Sequence, residues 1–231
     1  MISNFDHFLL YSYEPEKTFQ FLKNRFQLTT LIPLTNYGSF QSGMFAFRNG
    51  ILEILWYENK TEKVETNFLI NQFVGFALQS NLSIIDTKSE LENLEFTVSH
   101  VMEQKVFNAK NEEVVISEII LLDRFLEGFQ TFFIEYKTDD LLKKFEELSK
   151  TSLWEMESFI LETANPEDTR NEFLRLCFKQ ENVNCVSDPN GIKVNFKKTF
   201  SQNGISSFLI QSKEEKIDIL QLLRDVNGYR C

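Results

Sequence analysis

Apolar residues along the chain fall into short runs broken by turn-forming residues, and their spacing alternates between strand and helix periods. Phe5 to Ser12 reads as a strand, and Glu16 to Phe26 places Phe19, Leu22 and Phe26 on one helix face. Thr29 to Leu34 is β-branched and apolar, Asn36-Tyr37-Gly38-Ser39 marks a turn, and Met44 to Arg48 with Ile51 to Tyr57 predicts a hairpin about Asn49-Gly50. The first segment is thus expected to be β-α-β-β-β. Beyond it, Lys63 to Gln79 reads as a helix packing through Phe68, Phe73 and Phe76, and Phe96 to Phe107 and Val114 to Leu122 read as strands around Asn108 to Asn111. Thr131 to Tyr136 is expected as an aromatic strand and Asp139 to Lys150 as an amphipathic helix. A strand at Glu157 to Thr163, a helix at Pro166 to Phe178, strands near 182–186, 191–198 and 205–211, and a helix from Lys213 to Asp225 complete the reading.

This order repeats. Tyr13-Glu14-Pro15-Glu16-Lys17-Thr18 lies over Ala164-Asn165-Pro166-Glu167-Asp168-Thr169, each followed by a Phe-Leu pair, and each proline suits a first helical turn where a missing amide proton costs nothing. Asn49-Gly50-Ile51 is matched to Asn203-Gly204-Ile205, an offset of 154 against 151 at the prolines, as loop insertions produce. The expected organisation is a first module over 1–62, a connecting helix and strands over 63–151, and a second module with a C-terminal helix over 152–231.

At 231 residues, the chain is long enough for a substantial core, and 24 phenylalanines against 8 glycines and 4 prolines imply dense aromatic packing. A net charge of −10 opposes a phosphate-binding surface, so nucleic acid is not an expected partner. No apolar run reaches the ~20 residues of a membrane span. The first residues do not read as a signal peptide, and a cytoplasmic location is expected. Cys177, Cys185 and Cys231 form no Cys-x-x-Cys pair, and Cys177 reads as a small core residue on a helix face. Glycine-rich phosphate loops, Gly-x-Ser-x-Gly elbows and paired-cysteine zinc motifs are not found in the sequence.

A repeated βαβββ unit with Asp6-His7 on its first strand and Gly50-Ile51-Leu52-Glu53 on its fourth resembles the glyoxalase/bleomycin-resistance/extradiol-dioxygenase superfamily, the vicinal oxygen chelate proteins. Phe132-Phe133-Ile134-Glu135-Tyr136 before the second module resembles its glyoxalase-like group. The resemblance implies an α+β fold in which curved mixed sheets of paired modules surround a shared cavity. It also implies a divalent metal, Zn, Mn, Fe or Ni, held by residues of first and fourth strands: here His7 and Glu53, with Ser158 and Ser207 at the second-module positions. Serine hydroxyls are weak neutral ligands, and half of the family pattern is missing.

Glu53, between Leu52 and Ile54, points opposite to both by strand alternation, and a carboxylate inside an apolar sheet needs a partner. Glu135 is a candidate catalytic base, and Tyr37, Phe45, Phe47 and Trp56 are candidate substrate-lining residues. His100, the only other histidine, is a candidate ligand only if its strand lies beside the cavity. Glu162, in similar strand-like surroundings, reads as solvated. Three functions stay open: metal-dependent isomerase, lyase or dioxygenase chemistry on a small oxygen-chelating substrate, metal-free binding or sequestration of a small molecule, and a structural role with the cavity filled by phenylalanine. Homodimerisation is common among such proteins and is an expectation here.

Overall fold

The computed structural model describes residues 1–58, 71–107 and 110–226. The first segment folds as expected: strand β1 (Ser3–Ser12), helix α1 (Pro15–Phe26), then strands β2 (Thr29–Asn36), β3 (Phe40–Ala46) and β4 (Ile51–Tyr57). Where the sequence reading expects a connector, a second β-α-β-β-β run follows: β5 (Asn71–Ser80), α2 (Ile84–Asn93), β6 (Met102–Phe107), β7 (Glu113–Leu121) and β8 (Gln130–Tyr136). Helix α3 (Asp139–Ser149) leads to a third: β9 (Glu155–Thr163), α4 (Pro166–Arg175), β10 (Lys179–Asn182), β11 (Cys185–Ser187) and β12 (Lys193–Lys198). The strands β13 (Gly204–Gln211) and β14 (Lys216–Asp218) and helix α5 (Ile219–Val226) end the described chain.

Strand pairing makes the repetition explicit. In each run the first and last strands pair in parallel, β1 with β4, β5 with β8 and β9 with β12. The antiparallel pair β1–β5 fuses the first two runs into one sheet of order β2-β3-β4-β1-β5-β8-β7-β6. The antiparallel pair β9–β13 stands in the same relation within a sheet of order β10-β11-β12-β9-β13-β14. All three helices α1, α2 and α4 are followed by a residue in the left-handed region, Gln27, Glu95 and Cys177. The α+β class and the βαβββ units are as expected.

Several local expectations are corrected. Asn71–Ser80 is a strand, not the end of a helix from Lys63, and residues 63–70 lie outside the described part. A central strand buried on both faces reads as a continuous apolar run, which periodicity cannot tell from a helix. Asn108 and Ala109, and Cys231, also lie outside it. The counterpart of Asn49-Gly50 is Asn190-Gly191, which precedes β12; Asn203-Gly204 opens β13, the counterpart of β5. Cys177 is exposed in its left-handed turn rather than packed on a helix face.

The helix-bearing faces of the two sheets meet in one aromatic core. Phe5 contacts Phe159 edge-on with ring centroids 5.4 Å apart, Phe8 contacts Phe208 at 4.8 Å, and Phe73 stacks on Phe208 at 4.6 Å. Phe8, Phe76, Phe133, Phe159, Phe173 and Phe208 are fully buried there. Polar staples cross the same seam. Asn49 accepts a hydrogen bond from the Met156 amide and donates to its carbonyl, both at 2.8 Å, while Asp188 accepts from the Phe5 and Ile192 amides at 3.0 and 2.8 Å. Burial pushes the Asp188 carboxyl up to about 6 despite its amide donors.

Candidate functional site

Strand alternation sends Phe8 and Leu10 into the inter-sheet core and His7 and Leu9 to the opposite face. On that face, residues from both ends of the eight-stranded sheet line one cavity of about 560 Å³: Ile32 of β2 at one end and Gln104 of β6 at the other. The sheet therefore curls around it. Leu9, Met44, Leu55, Phe132 and Ile134 form apolar walls, and α3 borders the cavity with Leu141 and Lys144. Helix α3 is anchored by Leu141, Phe145 and Leu148 against Leu31, Ala46 and Ile51, and Lys144 Nζ donates to the Leu31 carbonyl.

The polar end of the cavity continues into a chain of five polar residues, of which Asp6, His7 and Ser42 are buried and Glu53 and Tyr136 half-buried. His7, 3% exposed, places Nδ1 2.6 Å from Asp6 Oδ1, and the Tyr136 hydroxyl donates to the same oxygen at 2.7 Å. On the other side of the ring, His7 Nε2 stands 3.5 Å from Glu53 Oε2, and Glu53 Oε1 accepts from the Ser42 hydroxyl. Burial alone lowers the tendency of His7 to hold its proton, but Asp6 and Glu53 outweigh it and raise the pKa above 6.5. The Asp6 carboxylate only accepts, so Nδ1 carries the hydrogen directed to it, and Nε2 faces Glu53. Burial and the nearby Asp6 charge push the Tyr136 hydroxyl well above its ordinary value, so it stays a neutral donor.

Of the expected site residues, His7 and Glu53 are brought together, and both line the cavity. Glu135 does not: alternation puts Ile134 and Tyr136 on the cavity wall and Glu135 on the opposite face, where it accepts from the Ile84 amide at the start of α2 and pairs with Lys137. Phe45 is stacked on Phe19 in the core at 4.1 Å, and Phe47 is likewise fully buried in it. Tyr37 is 52% exposed and stacks on Phe40, and Trp56 follows cavity-lining Leu55 on β4 and so faces away. His100 is exposed and outside the strands. Glu162 pairs with Lys197. Tyr136 and Ser42 were given no role in the sequence reading, and Asp6 was singled out beside His7 without one. Tyr136 shares alternation with Phe132 and Ile134, the one signal that could have found it.

Register shows what stands at the corresponding places in the other runs. The pairs His7–Ala77 and Leu9–Gly75 of the β1–β5 ladder exchange under its local twofold, so Gly75 takes the place of His7. Glu53 sits beside Leu9, Phe132 beside Ala77 and Asn195 beside Ile160, so Phe132 and Asn195 take the place of Glu53. Ser158 does correspond to His7, as expected, but Asn195 rather than Ser207 corresponds to Glu53; Ser207 lies on β13. A catalytic metal is ordinarily held by three or more protein donors. The second run adds glycine and phenylalanine, Ser117 donates to the side-chain oxygen of Gln104, and no group of three or more His, Cys, Asp or Glu that could hold a metal ion occurs among the described residues. The donor set does not fit the metal that the resemblance implies.

No protein-family model matches the chain, and no curated protein matches it in sequence. Among solved structures, a hypothetical protein from Staphylococcus aureus is similar at 16% identity and a TM-score of 0.68, over 93% of each chain. A variant of Streptomyces coelicolor methylmalonyl-CoA epimerase in complex with 2-nitronate-propionyl-CoA matches 60% of this chain and 100% of its own at 12% identity and a TM-score of 0.42. Methylmalonyl-CoA epimerase from Mycobacterium tuberculosis matches 58% and 89% at 8% identity and 0.43. The Staphylococcus likeness is one of fold over nearly the whole chain, whereas the epimerases superpose too loosely to bear on chemistry. No helix among the described residues is long and apolar enough to cross a membrane.

Proposed function

We propose that this glyoxalase-like protein binds a small, largely apolar molecule in the cavity under α3 without a metal, holding its polar group at His7 and Glu53. The observation that supports this reading is a half-open cavity of about 560 Å³ bordered by α3, within the size range of small-molecule sites, with largely apolar walls and the His7–Glu53 pair at one end. Most phenylalanine packing lies on the other face of the sheet, and Phe132 on the cavity wall leaves this space open, which disfavours a purely structural role. The ordered chain Asp6–His7–Glu53 favours a second reading, proton exchange at the bound ligand, because a histidine fixed through Nδ1 presents Nε2 in one orientation.

Thermal denaturation against a panel of apolar small molecules, with and without EDTA, tests the binding reading. A ligand in large excess over its Kd raises Tm by several degrees, unchanged by EDTA and lost in a Leu55→Trp variant that fills the cavity. Binding that EDTA abolishes would restore the metal-dependent alternative, and a panel without a binder would defeat the proposal.

A further inference from the structure

The polar end of the cavity is specified more narrowly than its size. His7 Nδ1 is committed to Asp6 at 2.6 Å, the Tyr136 hydroxyl to the same carboxylate at 2.7 Å, and Glu53 Oε1 to Ser42. What remains at this end for a ligand is His7 Nε2 and Glu53 Oε2, and a single proton between them makes the pair one donor and one acceptor, whichever atom holds it. They are 3.5 Å apart, beyond the ordinary N–H···O range of about 2.7–3.2 Å, so each faces the other without closing a hydrogen bond. Buried groups held in this way gain from a molecule that offers one acceptor and one donor together.

We infer that the preferred ligand presents an acceptor and a donor on neighbouring atoms, as the edge of a primary carboxamide or a lactam does, on an otherwise apolar body. This rests on the proposed cavity-binding function. The oxygen and nitrogen of an amide edge are about 2.3 Å apart, from standard bond lengths, and meet a donor and an acceptor a few ångströms apart in two side-by-side hydrogen bonds. A lone hydroxyl serving both partners would sit at the apex of a triangle too narrow for its lone-pair and O–H directions. Charge selects further. Two carboxylates, Asp6 and Glu53, face one histidine, so negative charge is in excess there, and Asp140 and Lys144 on α3 are of opposite sign, so the polar end repels a carboxylate and accepts a neutral amide.

Met44 lines the cavity, so its methyl group reports occupancy. The test follows that methyl by NMR in methionine-labelled protein during titration with three probes of similar bulk: 2-naphthamide, methyl 2-naphthoate, which only accepts, and 2-ethylnaphthalene, which does neither. In the wild type 2-naphthamide is expected to bind at least about tenfold more tightly than the ester, the effect of one hydrogen bond to a charged group. Glu53→Leu should bring that ratio close to one while 2-ethylnaphthalene binds as well or better. Equal affinity of amide and ester in the wild type overturns the inference and leaves the cavity-binding function standing. A Met44 methyl that no probe shifts overturns that function itself. Both decisions are read on wild-type protein and do not depend on how the variant folds.

Discussion

The first and third β-α-β-β-β runs differ on one face and agree on the other. Toward the inter-sheet core, Phe8 and Phe159 are both fully buried. Ser12 and Thr18 join their hydroxyls at 2.9 Å, as Thr163 and Thr169 do, fixing the passage from strand to helix in the same way. Toward the other face, His7 and Glu53 give way to Ser158 and Asn195. Packing holds the shared positions, since a buried ring has many neighbours to satisfy. The other face is free of that constraint, and its residues differ. Packing constrains the core face of this unit and leaves its outer face free to vary.

The comparison can be broken most severely at the core. Phe8→Ala and Phe159→Ala are each expected to cost about 3–5 kcal/mol in urea unfolding, being cavity-forming changes at fully buried rings. A much smaller loss at Phe159 would mean that the third run contributes little to the common core. Next come the staples across the seam. The folded pKa of Asp188, about 6, lies above the ordinary 3.8, so its contribution is fully present below about pH 4 and disappears as pH rises through about 6. The stability of the wild type relative to Asp188→Asn should therefore increase by on the order of 2 kcal/mol between pH 7 and pH 4. Unfolding curves that stay parallel across that range would remove Asp188 from this role. The smallest effect sharpens the functional face. His7, raised above 6.5, should titrate lower in Asp6→Asn, as read from its ring resonances, and its contribution to stability is present below pH 6.5 and lost as pH rises through the folded value. Ser158 offers no such titration at the matching place.

Legibility in the sequence followed the same division. The starts of the first and third runs were readable because a proline at the first helical turn and a Phe-Leu pair recur at fixed distances. The second run was not, because β5 carries Phe73, Phe76, Ala77 and Leu78 to two buried faces and loses the alternation that marks a strand. A signal for α2 was present in Ser83, whose hydroxyl accepts from the Asp86 amide. His7 and Glu53 were found through a resemblance, whereas Glu135 was chosen one residue out of phase with Tyr136. In a strand as apolar as Phe132-Phe133-Ile134, parity cannot be assigned until the faces are known. Tyr37, Phe45, Phe47 and Trp56 illustrate the cost of choosing by residue type: in so aromatic a chain, being aromatic says little about which face a ring occupies.

Gly75 limits what this site can become by mutation. A methyl group added there would lie 2.2 Å from the Gln130 carbonyl oxygen, within the backbone of the parallel neighbour, so even alanine requires strands β5 and β8 to separate. A histidine facing His7 from the second run is thus more than one substitution away. Glu53 and the apolar walls can be changed one residue at a time, but matching residues in the two halves of the cavity would first demand a rebuilt ladder.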